Sequence, residues 1–259
     1  MKLYVLSENS ASPGFLAEHG LSYYIEFNNK KLLFDTGASD VFMKNALKLN
    51  VNLQEIDLIV LSHGHWDHGN GLKFIKNKPL TVHPDAFIKR YRKSGKENIG
   101  IDLSLNEIIN KFSVNFASKP FYINENIIFL GEIPHTFEFE ERETAYYKEN
   151  GDNDDIKDDS ALVLIKNNEL IVVSGCAHSG ICNIIEYSKE LTGISKINTV
   201  IGGFHLKKQN YQTKKTIEYF NDNAVKNILP SHCTELPALS LFFNEFKIKH
   251  VKSGMIFNF

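Results

Sequence analysis

No stretch of this 259-residue sequence approaches the roughly 20 consecutive apolar residues that a membrane-spanning helix needs, so a helical membrane protein is not expected. Cysteine is scarce and odd in number. Cys176, Cys182 and Cys233 lack the spacing of a disulfide scaffold, which points to a reducing compartment. Net charge is almost absent: 29 Lys and Arg stand against 31 Asp and Glu, a formal -2. That balance argues against a broad electrostatic grip on nucleic acid, while leaving room for a local basic pocket. The start, Met1-Lys2-Leu3-Tyr4-Val5-Leu6-Ser7-Glu8, turns polar too soon for a signal-peptide core. The expectation is a soluble, cytoplasmic protein with neither a membrane nor a nucleic acid as partner. What the chain does have is 42% hydrophobic residues, enough for a sizeable core.

Local patterning predicts strands at 3–6, 23–27 and 31–34, with Asn28-Asn29 as the hairpin turn because Asn tolerates positive φ. Ser39-Asp40 is placed to cap a helix that carries Val41, Phe42, Ala46, Leu47 and Leu49 at helical spacing. The continuous apolar run 56–61 reads as a strand covered on both faces. The second half alternates more regularly. Strands at 161–165 and 170–173 flank an Asn167-Asn168 turn, and a helix at 181–191 leads to a strand at 197–201. A helix at 213–221, a strand at 227–229 and a helix at 236–246 follow, then short strands near 248–251 and 255–257. Strands with helices interposed imply sheets covered by outer helices. Residues 88–159 are less regular, with a basic run at 90–96 and an acidic run at 151–159. One domain over 1–259 is expected, with the irregular insertion around 88–159 forming lid or substrate loops.

Directly after the predicted strand 56–61 comes Ser62-His63-Gly64-His65-Trp66-Asp67-His68. Three histidines and an aspartate within six residues supply imidazole nitrogen and carboxylate oxygen, donors that suit zinc, iron or manganese. Gly64 and Gly69 let the backbone bend tightly enough to cluster them. His178, His205 and His232 each follow a predicted strand and sit among small residues. Four strand-end histidine sites in one chain point to a metal centre rather than to scattered surface histidines.

These residues carry a resemblance. His63-Gly64-His65-Trp66-Asp67-His68 resembles the His-x-His-x-Asp-His signature of the metallo-β-lactamase superfamily, and Leu33-Phe34-Asp35-Thr36-Gly37 resembles its first motif. The resemblance covers essentially the whole chain. It implies an α/β (α+β) fold, an αββα sandwich of two mixed β-sheets with outer helices and two divalent metal ions at one edge. Zinc is the first expectation, with iron or manganese as alternatives. By that resemblance His63, His65 and His178 bind one metal, and Asp67, His68 and His232 the other. Where the superfamily usually places a bridging aspartate, this sequence has Gly202-Gly203-Phe204-His205. His205 then either ligates a metal or stabilises developing negative charge, and Asp67 orients the nucleophile. The cysteines are expected to pack against the metal centre rather than ligate, since histidine and aspartate already fill the sites.

A finer resemblance is to the subgroup that includes the archaeal dihydropterin–ribofuranosylaminobenzene phosphate synthase. It is carried by Ala17-Glu18-His19-Gly20-Leu21-Ser22, Gly131-Glu132-Ile133-Pro134, Asp158-Asp159, Gly175-Cys176-Ala177-His178-Ser179-Gly180, Gly202-Gly203-Phe204-His205-Leu206 and Ser231-His232-Cys233-Thr234. His135 and Glu235 depart from it, standing where arginine and glycine are common. From these motifs His19, His135, Asp158 and Asp159 are candidate substrate-binding residues, with a solvated turn as the alternative for the Asp pair. Tyr91, Tyr146 and Tyr147 are candidates to stack on a flat substrate. The expected function is a metal-dependent hydrolase acting through a metal-activated water on a small, anionic phosphate ester, ester or lactone. The alternatives are a group transferase that binds a pterin-methyl diphosphate, and a non-enzymatic metal-binding module.

Overall fold

The computed structural model describes residues 1–140 and 145–259. Among these, the first strands are β1 (Lys2–Ser7), β2 (Ser22–Phe27), β3 (Lys30–Phe34), β4 (Leu58–Val60) and β5 (Pro79–Val82). Next come β6 (Arg90–Arg92), β7 (Ser113–Phe116), β8 (Phe121–Asn124), β9 (Ile127–Phe129), β10 (Tyr146–Lys148) and β11 (Asn153–Asp154). The last are β12 (Ala161–Lys166), β13 (Glu169–Ser174), β14 (Ile197–Gly203), β15 (Asn227–Ser231) and β16 (Ile256–Asn258). The α-helices are α1 (Val41–Lys48), α2 (Trp66–Gly69), α3 (Leu105–Lys111), α4 (Ile181–Thr192), α5 (Tyr211–Asp222) and α6 (Leu236–Phe246). Two compact units result: Met1–Ser118 with Thr144–Asp158 and Val251–Phe259, and Lys119–Glu143 with Asp159–His250.

The first unit is built on a seven-stranded sheet in the order β16-β1-β2-β3-β4-β5-β7. Its first four strands pair antiparallel and β3-β4-β5-β7 run parallel. The β2–β3 hairpin turns at Asn28 and Asn29, whose φ angles of 47° and 56° are those of the two-residue turn expected there. Before α1, Ser39 Oγ accepts the Val41 N–H, whereas Asp40 makes no side-chain cap and instead pairs with Lys44. Phe42, Leu33, Ile59, Leu61, Leu72 and Leu80 are among the buried side chains that fill its core. A small sheet, β11-β10-β6, completes the unit.

The second unit holds a six-stranded sheet in the order β15-β14-β13-β12-β9-β8. The β12–β13 hairpin turns at Asn167 and Asn168, both at positive φ. From β13 onward the pairing is parallel, with α4 and α5 as the connections. Their apolar faces, with Ile184, Ile185 and Phe220, pack with Val172, Val200 and Phe242 into one buried cluster. The loop before the undescribed residues is fastened to α4. Asn183 Oδ1 accepts the Thr136 and Phe137 N–H groups, and the buried Glu140 carboxylate accepts the Cys182 N–H.

The fold class expected from the sequence, mixed sheets with helices, is the one observed. Two local expectations differ. No strand forms at 248–251, because the free edge of β1 is taken by 256–258 and Val251 buries its side chain from an irregular segment. The span 88–159 contains α3 and six short strands, which join three separate sheets; its residues 141–144 lie outside the described ones. Tyr91 and Tyr147 stack on each other across β6 and β10, with ring centroids 5.5 Å apart. Tyr146 is buried with Ile99 and Ile156 against Trp66.

Candidate metal centre

In the first unit, the parallel strand β4 delivers Ser62–His68 at its carboxyl end, and α2 begins at once. His63, His65, Asp67 and His68 are all buried. His63 Nε2 lies 3.0 Å from His65 Nδ1, and the His63 and His68 ring centroids are 4.2 Å apart. Burying three imidazoles and a carboxylate together is costly without something to bind. Nitrogen and oxygen donors converging in this way fit a borderline divalent metal.

Asp35 organises this loop. Its backbone, at φ 55°, follows β3 directly, and its carboxylate is fully buried. Oδ1 accepts the Ser62 N–H at 2.7 Å; Oδ2 accepts the Ser62 hydroxyl at 2.7 Å and lies 2.7 Å from His68 Nδ1. With Nδ1 engaged by the carboxylate, Nε2 is the His68 nitrogen that a metal would use, and the contact fixes both tautomer and ring orientation. Asp35→Asn should therefore weaken metal affinity by about 10–100-fold, as read by competition with a chromophoric chelator. Unchanged affinity would remove Asp35 from this role.

Two further groups shape the loop. Gly64 lies so close to a neighbouring segment that an added Cβ would stand 1.9 Å from the Ala86 carbonyl oxygen. Backbone cannot yield as a side-chain tip can, so Gly64→Ala is expected to destabilise the protein by about 1–3 kcal/mol and to displace His63 and His65. A thermal melt together with a metal titration would register both effects, and a wild-type melt would contradict them. His19, largely exposed, places Nε2 3.2 Å from Asp67 Oδ2. Glu18 accepts hydrogen bonds from Ser7, Ser39 and the Ala38 N–H, holding the adjoining turn.

In the second unit, three neighbouring parallel strands, β13, β14 and β15, end in loops that carry the remaining candidates. His178 and His205 bring their rings to a 4.3 Å centroid separation. Ala177, His205 and His232 have φ of 55°, 52° and 50°, a conformation that non-glycine residues adopt at some cost and that clusters at functional loops. Cys233 Sγ donates to the Cys176 carbonyl oxygen at 3.2 Å. Burial pushes the Cys233 thiol up, but hydrogen bonding to Cys176 and His205 and the charge of His205 and His232 outweigh it, so the thiol lies well below its ordinary value.

The other candidates are engaged with protein groups. Asp158 and Asp159 are buried. Asp158 receives the Gly64 N–H at 2.7 Å and Arg90 Nη2 at 2.9 Å; Asp159 receives the Ser179 N–H at 2.9 Å. His135 is exposed and its Nε2 donates to the Glu140 carbonyl oxygen at 2.8 Å. Asp35, Ser62 and Arg90 are positioning residues to which sequence reasoning gave no role. Asp35 had a signal in Leu33-Phe34-Asp35-Thr36-Gly37; Arg90 had none beyond membership of a basic run.

The description "Metallo-beta-lactamase superfamily" matches residues 17–84, the span that carries the first histidine cluster. The uncharacterized protein MJ0448 of Methanocaldococcus jannaschii is 36% identical over 257 residues, covering 95% of this chain and 96% of its own length. The 7,8-dihydropterin-6-methyl-4-(beta-D-ribofuranosyl)-aminobenzene-5'-phosphate synthase of the same organism is 34% identical and covers 100% of this chain and 97% of the relative. Among solved structures, Tm1679, described as a metal-dependent hydrolase of the beta-lactamase superfamily, matches with a TM-score of 0.89 and 32% identity over 100% of this chain and 99% of its own. This chain belongs to the metallo-β-lactamase superfamily of metal-dependent enzymes.

Proposed function

We propose that this enzyme is a cytoplasmic hydrolase of small anionic phosphate esters, carboxylic esters or lactones that works with two divalent metal ions, zinc before iron or manganese. His63, His65 and His178 are the proposed ligands of one ion, and Asp67, His68 and His232 of the other; the family match spans the first four of these residues in chain order, and His178 and His232 follow from the resemblance of the sequence. The observation that carries the reading is the Asp35–His68 pair set beside His63 and His65, a ligand loop braced from behind by a buried carboxylate. When bound, such metals supply Lewis acidity and a water of lowered pKa. The chain's own part is orientation and charge. Asp67, pinned through its backbone carbonyl by the Leu21 N–H and approached by His19 Nε2, holds its carboxylate in one direction. His19 is exposed beside it and can donate to an anionic substrate group. His205, held at φ 52°, is the proposed donor to negative charge developing on the substrate, or a further metal ligand. His135, Asp158 and Asp159 remain proposed substrate-binding residues, beside the protein contacts they make.

A second reading is group transfer, favoured by full-length similarity at 34% identity to the dihydropterin synthase. In that reading the same residues would hold metals whose Lewis acidity favours departure of diphosphate from a pterin-methyl diphosphate, and an aryl acceptor, losing a proton, would take the methylene group in place of water. Metal-loaded protein should turn over at least one member of a phosphodiester, phosphomonoester and lactone panel. Inactivity across that panel, with product from pterin-methyl diphosphate and an aminobenzoate-type acceptor, would replace hydrolysis by transfer.

A further inference from the structure

We propose that Cys176, His205 and Cys233 form a binding site of their own for a thiophilic divalent cation, zinc foremost. The sequence alone favours packing roles for these cysteines; the structure brings their sulfurs and an imidazole nitrogen together. One donor atom from each of the three residues lies within 4.8 Å of the other two. All three residues belong to the second unit.

The arrangement follows from the loops that leave three neighbouring parallel strands. β13 ends at Ser174, β14 at Gly203 and β15 at Ser231, and the three strands are parallel neighbours in the sheet. Cys176, His205 and Cys233 each stand two residues beyond the end of their strand. Gly203 of β14 stands opposite Ser231 of β15, which carries His205 towards Cys233; β13 is one residue out of step, with Val173 opposite Ile201, and Cys176 joins the pair from the loop after Ser174. Gly203 permits the approach. The Gly203 N–H donates to the Gly175 carbonyl at 2.9 Å, and a Cβ at 203 would meet Cys233 Sγ at 2.5 Å. Cys176 is buried, whereas His205 and Cys233 are half-buried.

The chemistry of the donors selects the cation. Two thiolates and one imidazole make a soft set that prefers zinc to calcium or magnesium, and three protein ligands leave a fourth position open. Two thiolates also balance a dication's charge. Binding releases the thiol protons to solvent, so occupancy rises with pH. The assignment is independent of which reaction the enzyme performs, because it rests on donors of the second unit alone.

Cobalt(II) is the probe, because thiolate ligation gives a sulfur-to-cobalt charge-transfer absorption that imidazole and carboxylate do not. Reduced protein loaded with cobalt is expected to show this band. It should persist in His63→Ala, weaken in Cys233→Ser and vanish in the Cys176→Ser/Cys233→Ser double variant. On the wild-type chain, where misfolding of a variant plays no part, zinc should protect Cys176 and Cys233 from alkylation, read by peptide mass spectrometry. Absence of the band in fully reduced wild-type protein would overturn the site. So would its loss in a folded His63→Ala protein, which would place the thiolate with the histidine–aspartate set instead. A Cys176–Cys233 disulfide in protein purified without oxidant would also overturn it.

Discussion

Replacing Arg90 by methionine is expected to lower stability by about 3–5 kcal/mol, a drop of roughly 10 °C in Tm. The guanidinium is fully buried. Its Nη2 donates to Asp158 Oδ1 and to the Asp85 carbonyl, both at 2.9 Å, and its Nε lies 3.3 Å from Asp154 Oδ2. Methionine matches the stem but leaves two buried carboxylates with their counter-charge removed, the costly way to break a buried ion pair. The effect depends on pH. Burial already holds the Asp154 carboxyl above its ordinary range, against the pull of Arg90. Without Arg90 the Asp154 carboxyl shifts further up, and a carboxyl whose folded pKa exceeds its unfolded value subtracts stability as pH rises through that interval. The deficit should therefore be larger at about pH 8 than at about pH 5. Arg90→Lys should recover part of it, since lysine restores charge but not the planar fork. Melts of Arg90→Met that match wild type at both pH values would refute the account. The same variant should also loosen the metal loop, because Asp158 passes the constraint from Arg90 to the Gly64 N–H between His63 and His65.

The second large effect concerns the ligand loop. His63→Ala and Asp67→Ala should each reduce turnover below detection while circular dichroism stays close to wild type. His63 sits with Nδ1 2.9 Å from Ser62 Oγ and Nε2 3.0 Å from His65 Nδ1, so its removal takes a nitrogen from the middle of the cluster. The strand that presents it, β4, is held by β3 and β5 and by core residues Ile59 and Leu61, none of which needs the imidazole. Asp67 is expected to be as sensitive for a different reason, being the cluster's own anionic donor and the group against which His19 is set. Metal content should fall alongside activity. A fully active His63→Ala enzyme would end the metal-centre assignment.

Much of this was legible in the sequence because it is local. His63 to His68 declare themselves within six residues, and the two Asn-Asn turns sit between runs that alternate at strand period. The helices α4, α5 and α6 were legible from apolar spacing. What was not legible depends on partners distant in sequence. Arg90 finds Asp158 across 68 positions. β6 and β10 pair Tyr91 with Tyr147, though three-residue strands leave no periodicity to detect. At 248–251 the reverse happened: β-like residues found no strand edge, because β16 already occupied β1. Asp35 lay in a motif that could be named, but its role appears only when Ser62 and His68 meet its two oxygens.

The loops beyond β13, β14 and β15 bear on the order in which the protein assembles. The histidines of the first cluster are neighbours in the chain and can be gathered by one short loop, early and at little entropic cost. Cys176, His205 and Cys233 lie far apart in sequence, joined only through the crossovers that carry α4 and α5. They become neighbours after three parallel strands have aligned, a slow, non-local event. A nascent chain would therefore offer the imidazoles of one group to passing metal well before the sulfurs of the other exist as a set. On the proposed ligand sets, even the histidine loop waits for His178 and His232, which arrive only with β13 and β15 of the second sheet.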